Sequence, residues 1–238
     1  MAGSVTTALT NSSLAEMLSA GHCYLPPQTG LAVTQSSTIS GTLTTPLAGL
    51  AVGMAQTGTN AGAGAVIATL GPTAGAYTTS IASTGALVSA TFTGDVFKIA
   101  LIAAALAGNI AYGTLTTNAG TPGTSTPSQA NLGTDEQAAS GSYAAGGLAL
   151  VPSAITQTNP VNSAAVGFST TIQWTSATLN IAGAMIYNTS TRLSSAAAPE
   201  NNRVVLVTAA VGSVTSGTLT LTAPTQDGHT GLIRLSPN

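Results

Sequence analysis

From residue 25 to residue 91 the chain carries no aspartate, glutamate, lysine, arginine or histidine. That blank constrains the fold more than any motif. Pro26-Pro27 opens the stretch, which continues as short apolar runs between turn residues, such as Thr38-Ile39-Ser40-Gly41-Thr42-Leu43 and Gly64-Ala65-Val66-Ile67-Ala68-Thr69-Leu70-Gly71-Pro72. Brief β-competent runs punctuated by Gly, Pro and Ser disfavour helix and point to a small sandwich or a set of extended loops. Charge is scarce elsewhere too, at 4% of 238 residues against about 25% in an ordinary globular chain. The surface therefore has to be built from Thr, Ser, Asn, Gln and Gly, which hydrogen-bond water without ionising. A net charge of −2 leaves little repulsion between copies, so the chain is expected to work inside an assembly.

The same scarcity excludes several partners. Four scattered basic residues make no stripe for neutralising phosphates, so no nucleic-acid partner is expected. A polybasic membrane anchor fails on the same ground. The longest apolar run, residues 99–107, falls far short of the roughly 20 residues a spanning helix needs. No basic segment follows Met1, so no secretory signal is expected. Cys23 is the single cysteine and has no intrachain partner; it reads as a small buried apolar residue.

Secondary-structure signals are strongest outside the blank stretch. Ser13 and Glu16 have capping-box spacing, and Leu14, Met17 and Leu18 share one helical face, which predicts a short N-terminal helix stopped at Gly21. Residues 95–106 are ambiguous between helix and strand by periodicity. Val204-Val205-Leu206-Val207 reads as a central strand. Residues 217–223 alternate strictly, which turns their threonines towards solvent or a partner, and Leu232-Ile233-Arg234-Leu235 is expected to close the sheet. Residues 118–133, rich in Gly, Pro, Ser and Thr, show no pattern and are expected to form a loop. In Leu179-Asn180-Ile181-Ala182-Gly183-Ala184-Met185-Ile186-Tyr187 both faces are apolar, as in an interior strand. Trp174, the only tryptophan, is expected to reach that core from a partner strand.

The order Asp135-Glu136, then Gly141-Ser142-Tyr143-Ala144-Ala145-Gly146-Gly147-Leu148-Ala149-Leu150, then Trp174-Thr175 and Gly183-Ala184-Met185-Ile186-Tyr187, resembles a family of tailed-bacteriophage virion proteins. These are small β-rich structural proteins, many of them capsid decoration or cement proteins and some known only as tail or fibre components. The likeness continues in Phe97-Lys98-Ile99-Ala100-Leu101, which tips that segment towards a strand, in Gly231-Leu232-Ile233-Arg234-Leu235, and more loosely in residues 6–22. It departs at Thr208-Ala209-Ala210-Val211-Gly212, where the family tends to place an Asp-Phe-Gly-like turn. In the family, the residues before 25 and those after 91 lie close in sequence. The resemblance thus implies a discontinuous main domain, 1–24 with 92–238, and an inserted β-rich lobe, 25–91.

No chemical constellation outweighs its structural reading. Asp227 and His229 could join a serine, but no Gly-x-Ser-x-Gly elbow accompanies them, and Thr225-Gln226-Asp227-Gly228 reads as a polar turn. Asp135 and Glu136 are adjacent, point to opposite sides of an extended chain and read as a solvated loop edge. His22 beside Cys23 lacks further ligands at zinc spacing. Residues 141–147 are glycine-rich without a phosphate-loop lysine and read as a turn between strands. The sequons at Asn11-Ser12-Ser13 and Asn188-Thr189-Ser190 carry no weight without secretion.

No catalytic, cofactor-binding or metal residues and no enzymatic activity are therefore expected. The fold expectation is all-β: an antiparallel sandwich or jelly-roll-like main domain, one short helix and the inserted lobe. With the resemblance, the function expected is capsid decoration, with the major capsid protein and further copies of the chain, as a homotrimer, for partners. The place expected is the outer face of the virion head, after synthesis in the host cytoplasm. The alternative is a tail-associated or fibre protein for host attachment.

Overall fold

A computed structural model describes residues 8–9, 23–104, 135–153, 156–158, 163–168, 170–190, 203–222 and 233–235, with backbone alone at 8–9, 156–158, 163–166, 203, 210 and 233–235. The fold is all-β, and every strand pairing is antiparallel. Two compact units are present, Met1–His22 with Val96–Asn238, and Cys23–Asp95. The helix expected over residues 13–18 lies outside the described residues.

The first unit is built on a five-stranded sheet. In chain order its strands are β1 (Ala8–Leu9), β8 (Phe97–Ala103), β9 (Leu148–Leu150), β12 (Ile172–Asn188) and β13 (Arg203–Leu221), paired in the order β1-β13-β12-β8-β9. A three-stranded sheet accompanies it, ordered β10 (Thr156–Thr158), β11 (Ser163–Val166), β14 (Ile233–Leu235). Residues 233–235 thus close this smaller sheet rather than the main one. Phe168, just past β11, packs its ring 5.6 Å from that of Phe97, so the chain leaving the smaller sheet meets the core of the larger one.

β12 sets the core. From Ile181 to Asn188 its side chains are buried on both faces, apart from the half-buried Ala182, and β8 and β13 pair with its two edges there. From Ile172 to Asn180 only one row is buried, Ile172, Trp174, Ala177 and Leu179, and the other row is polar. Trp174 is therefore on the interior strand itself, not on a partner. A bulge with Ser176 at φ 51° separates it from Ala177 and keeps both on the inner side. Its ring stands edge-on to Tyr143 at 5.6 Å; burying roughly 200 Å² of indole is worth about 5 kcal/mol before entropy is counted. The segment 97–102 is a strand, its periodicity overridden by pairing with β12 and β9. Val204 to Val207 are fully enclosed, and β13 runs unbroken through residues 208–212, where the resemblance would place a turn.

The second unit holds a six-stranded sheet. Its strands are β2 (Gln28–Ser36), β3 (Ser40–Leu43), β4 (Ala55–Thr57), β5 (Ile67–Leu70), β6 (Ala76–Thr79) and β7 (Ala86–Thr93), in the order β4-β7-β2-β3-β6-β5. The two ends of that order meet. Ala55 bridges Val66, and the Ile67 N–H donates to Met54 O at 2.9 Å while the Gln56 N–H donates to Ala65 O at 2.9 Å. The lobe is thus a closed barrel rather than a sandwich or loose loops. Closure removes the edge strands that an uncharged sheet would otherwise expose.

The barrel is filled by its alternate residues. Val33, Leu43, Met54, Ile67, Tyr77, Leu87 and Phe92 form the apolar core, with Tyr77 edge-on to Phe92 at 5.4 Å. Gln35, Gln56 and Thr79 are buried beside them. Gln56 Nε2 donates to the Tyr77 hydroxyl at 2.7 Å and to Gln35 Oε1 at 3.1 Å, and Gln35 Nε2 donates to Thr79 Oγ1 at 3.2 Å. Amides and hydroxyls thus pair with one another where a charge would be costly, with Gln56 Oε1 left enclosed without a hydrogen bond. Burial raises the Tyr77 phenol above its ordinary value.

Gly41 faces Tyr77 across the β3–β6 ladder, and a Cβ there would lie 2.8 Å or less from three atoms of the tyrosine ring and hydroxyl. Gly41→Ala is expected to cost about 1–3 kcal/mol, the usual penalty of an overfilled core. A urea titration followed by tryptophan-independent circular dichroism measures it; an unchanged midpoint would mean that Tyr77 does not fill the barrel at this level.

Candidate functional site

Segment 135–147 places two of the chain's six acidic residues, Asp135 and Glu136, side by side. Glu136 bridges Ile102, and the Gln137 N–H donates to Leu101 O at 2.9 Å. These contacts extend the edge of β8 that β9 covers over residues 97–99. Asp135 and Glu136 are accordingly buried, Glu136 at 7% exposure, and not a solvated loop edge. Pairing with β8 turns the segment inward, and loop 141–147 folds over it.

That loop folds because its glycines allow it. Gly147 sits at φ 77° with its α-carbon against the Ile99 carbonyl, a position that leaves no room for a side chain. The turn brings the Tyr143 hydroxyl to 2.9 Å from Glu136 Oε1, to which it donates, while accepting the Leu101 N–H at 3.0 Å. The Gly146 N–H donates to the same Glu136 oxygen at 2.6 Å, and the Tyr187 hydroxyl donates to the Gly146 carbonyl at 2.5 Å. One carboxylate oxygen therefore gathers the loop, β8 and, through Gly146, β12. The other, Oε2, is enclosed and accepts no hydrogen bond.

Burial dominates the electrostatics here. It raises the Glu136 carboxyl above its ordinary value of 4.5, against the opposing pull of the Gly146 N–H, the Tyr143 hydroxyl and the Lys98 ammonium. Burial and the nearby Glu136 carboxylate together raise the Tyr143 and Tyr187 phenols. Both phenols stay protonated as donors throughout the neutral range.

The same segment also covers β12 where β8 ends. Ser142 Oγ accepts the Thr175 N–H at 2.8 Å, Ser140 Oγ the Thr178 N–H at 2.9 Å, and Gln137 Oε1 the Asn180 N–H at 3.2 Å. Side-chain oxygens take the place of a neighbouring strand's carbonyls. An open groove of about 500 Å³ lies alongside, lined by Gln137, Thr178, Leu179, Asn180, Ser213, Val214 and Thr215, none of them charged.

The remaining candidates do not converge on this place. Cys23 is buried in the barrel unit, where its N–H donates to Asp95 Oδ2 at 2.8 Å and its carbonyl accepts the Asp95 N–H at 2.9 Å. That pair ties the two ends of the unit, a role for Asp95 that residue-by-residue reading missed. Asn188 is buried at the end of β12, its Oδ1 accepting the Ser190 N–H at 2.8 Å. His22, Asp227, His229 and the sequon at Asn11 lie outside the described residues. Among the described residues no three His, Cys, Asp or Glu side chains gather as metal ligands. No family model matches the chain, and neither a curated protein nor a solved structure matches it.

Because folding raises the Glu136 carboxyl, its contribution to stability is fullest below about pH 4.5 and is lost as pH rises through the elevated folded value. Glu136→Gln keeps the accepting oxygen and places its amide nitrogen at the unpartnered position. It is expected to gain on the wild type as pH increases, whereas Glu136→Ala strands two donors and costs about 2–3 kcal/mol. Urea unfolding of all three proteins at several pH values distinguishes them; wild-type and Gln curves that run parallel would contradict the assignment.

Proposed function

We propose that this protein is a virion structural protein that decorates the outer surface of a tailed-phage head and braces it by bridging neighbouring capsid subunits. The supporting observation is where the charges lie. Asp95, Asp135 and Glu136 are all buried, so among the described side chains the half-buried Lys98 is the one charged group that reaches solvent. A surface of Thr, Ser, Asn, Gln and scattered valines attracts a partner by fitted neutral contact, not by steering charge.

The motifs of residues 135–187 that resemble phage virion proteins agree with this reading. Tyr143, Gly146, Gly147, Trp174 and Tyr187, which carry the resemblance, are the residues that hold the loop latch and the β12 core together. They read as a scaffold for display. A protein seated across two or more capsid subunits dissociates only when several contacts break together, and its binding energy adds to the shell's resistance to internal pressure.

Purified chain mixed with phage heads lacking it is expected to bind them at near-constant affinity from low to high salt, because few screened charges are involved, and to raise the temperature at which the heads rupture. In virions it is expected in hundreds of copies. A handful of copies located at the tail would favour host attachment instead, and a steep loss of affinity with salt would contradict neutral docking.

A further inference from the structure

The sheet of the first unit ends in an open edge. β13 pairs with β12 along its length and with β1 only at Leu206 and Val207. Beyond residue 210 its outer backbone edge has no ladder partner among the described residues. Natural sheets guard such edges with lysines, prolines or a covering element. From residue 204 to residue 226 there is no charged residue, and the first proline is Pro224. The inner row of this stretch, Val214, Leu219 and Leu221, is only half covered because the sheet stops there, and Val211 is 91% exposed.

We propose that this edge pairs with the same edge of a second copy, antiparallel about a two-fold axis between Ser216 and Gly217. In that register Val214 lies opposite Leu219 of the other copy and Gly212 opposite Leu221. Each pair is inner row against inner row, so the apolar face continues from one sheet into the next. The kink at Ser216, φ 47°, falls on the axis and divides the ladder into two arms, 211–214 and 217–221.

Together the arms give roughly 30 Å of ladder and bury on the order of 1,000 Å², the lower bound for a specific interface. A second copy is the matching occupant on charge. The edge offers an ionic partner nothing to pair with, whereas an equally uncharged strand of complementary register is present whenever the chain is. A net charge of −2 per copy opposes that encounter weakly. A self-pairing edge is two-fold by construction, so the assembly proposed is a dimer, not the trimer expected from the sequence. It holds whether or not the chain binds a phage head.

Sedimentation of the full chain at micromolar concentration tests it. The wild type is expected at twice the chain mass. Val214→Lys puts a charge in the paired inner row, and the double variant Ser213→Lys with Thr218→Lys puts charges on its exposed face; both are expected to halve the mass with the circular dichroism spectrum unchanged. Should Val214→Lys fail to fold, the exposed-face variant decides. In a mixture of Val214→Cys and Leu219→Cys chains, oxidation is expected to cross-link one of each and neither with itself. A monomeric wild type, a trimer, or a dimer indifferent to the exposed-face lysines and lacking the 214–219 cross-link would overturn the proposal.

Discussion

Among the described residues the carboxylates are all buried, and a surface so poor in charge has to close its backbone with neutral donors and acceptors; the architecture follows from that requirement. In the barrel unit the requirement is met by curling six strands until the first meets the last. In the other unit it is met by serine and glutamine side chains that cap β12 beyond the end of β8. Two of the described carboxylates, Glu136 and Asp95, tie separate segments together. Glu136 accepts from a phenol and a backbone amide at once, and Asp95 fastens the start of its unit to the end. Among the described side chains, carboxylates fix the interior, and the exposed positions are held mostly by neutral residues such as Thr, Ser and Asn.

The interiors of the two units are organised on different principles. Around β12 the core is a slab of Ile, Leu, Val, Met and one tryptophan, anchored at the side by the Tyr143 hydroxyl. In the barrel a chain of amides and hydroxyls, Gln56 to Tyr77 and Gln35 to Thr79, runs through the apolar filling. Such a network specifies one register because any slip leaves its members unpaired. Gly41 supplies the space that the tyrosine ring occupies.

Much of the fold could be read from residue order. The apolar run of 179–187 marked an interior strand, which is covered on both faces from Ile181 onward though Asn180 is exposed; Val204 to Val207 marked its neighbour, and the alternation of 217–223 placed its threonines on an exposed face. Barrel closure could not be read, because it depends on Val66 meeting Ala55 across a loop, and local patterning is blind to which edges meet. Trp174 was assigned to a separate strand because the bulge at Ser176 interrupts the alternation that would have joined it to Leu179. Glu136 was misread for a related reason. Alternation puts adjacent acids on opposite sides, but which sides are covered depends on tertiary packing, and both are, with Asp135 and Glu136 buried. A usable signal was present in the glycines at 146 and 147 with Tyr143 between them and the acids, a loop able to fold back on its own carboxylate.

In this reading of the protein, a rigid, latched scaffold presents neutral hydroxyl-rich faces, and holding is its task. A reconstruction of the phage particle at side-chain resolution tests that most directly. The expected result is density for this fold on the outer head, touching at least two capsid subunits through Ser, Thr, Asn, Gln and valine contacts, with Glu136 still enclosed beneath its loop. Contact made chiefly through ion pairs, or density confined to the tail tip, would contradict it.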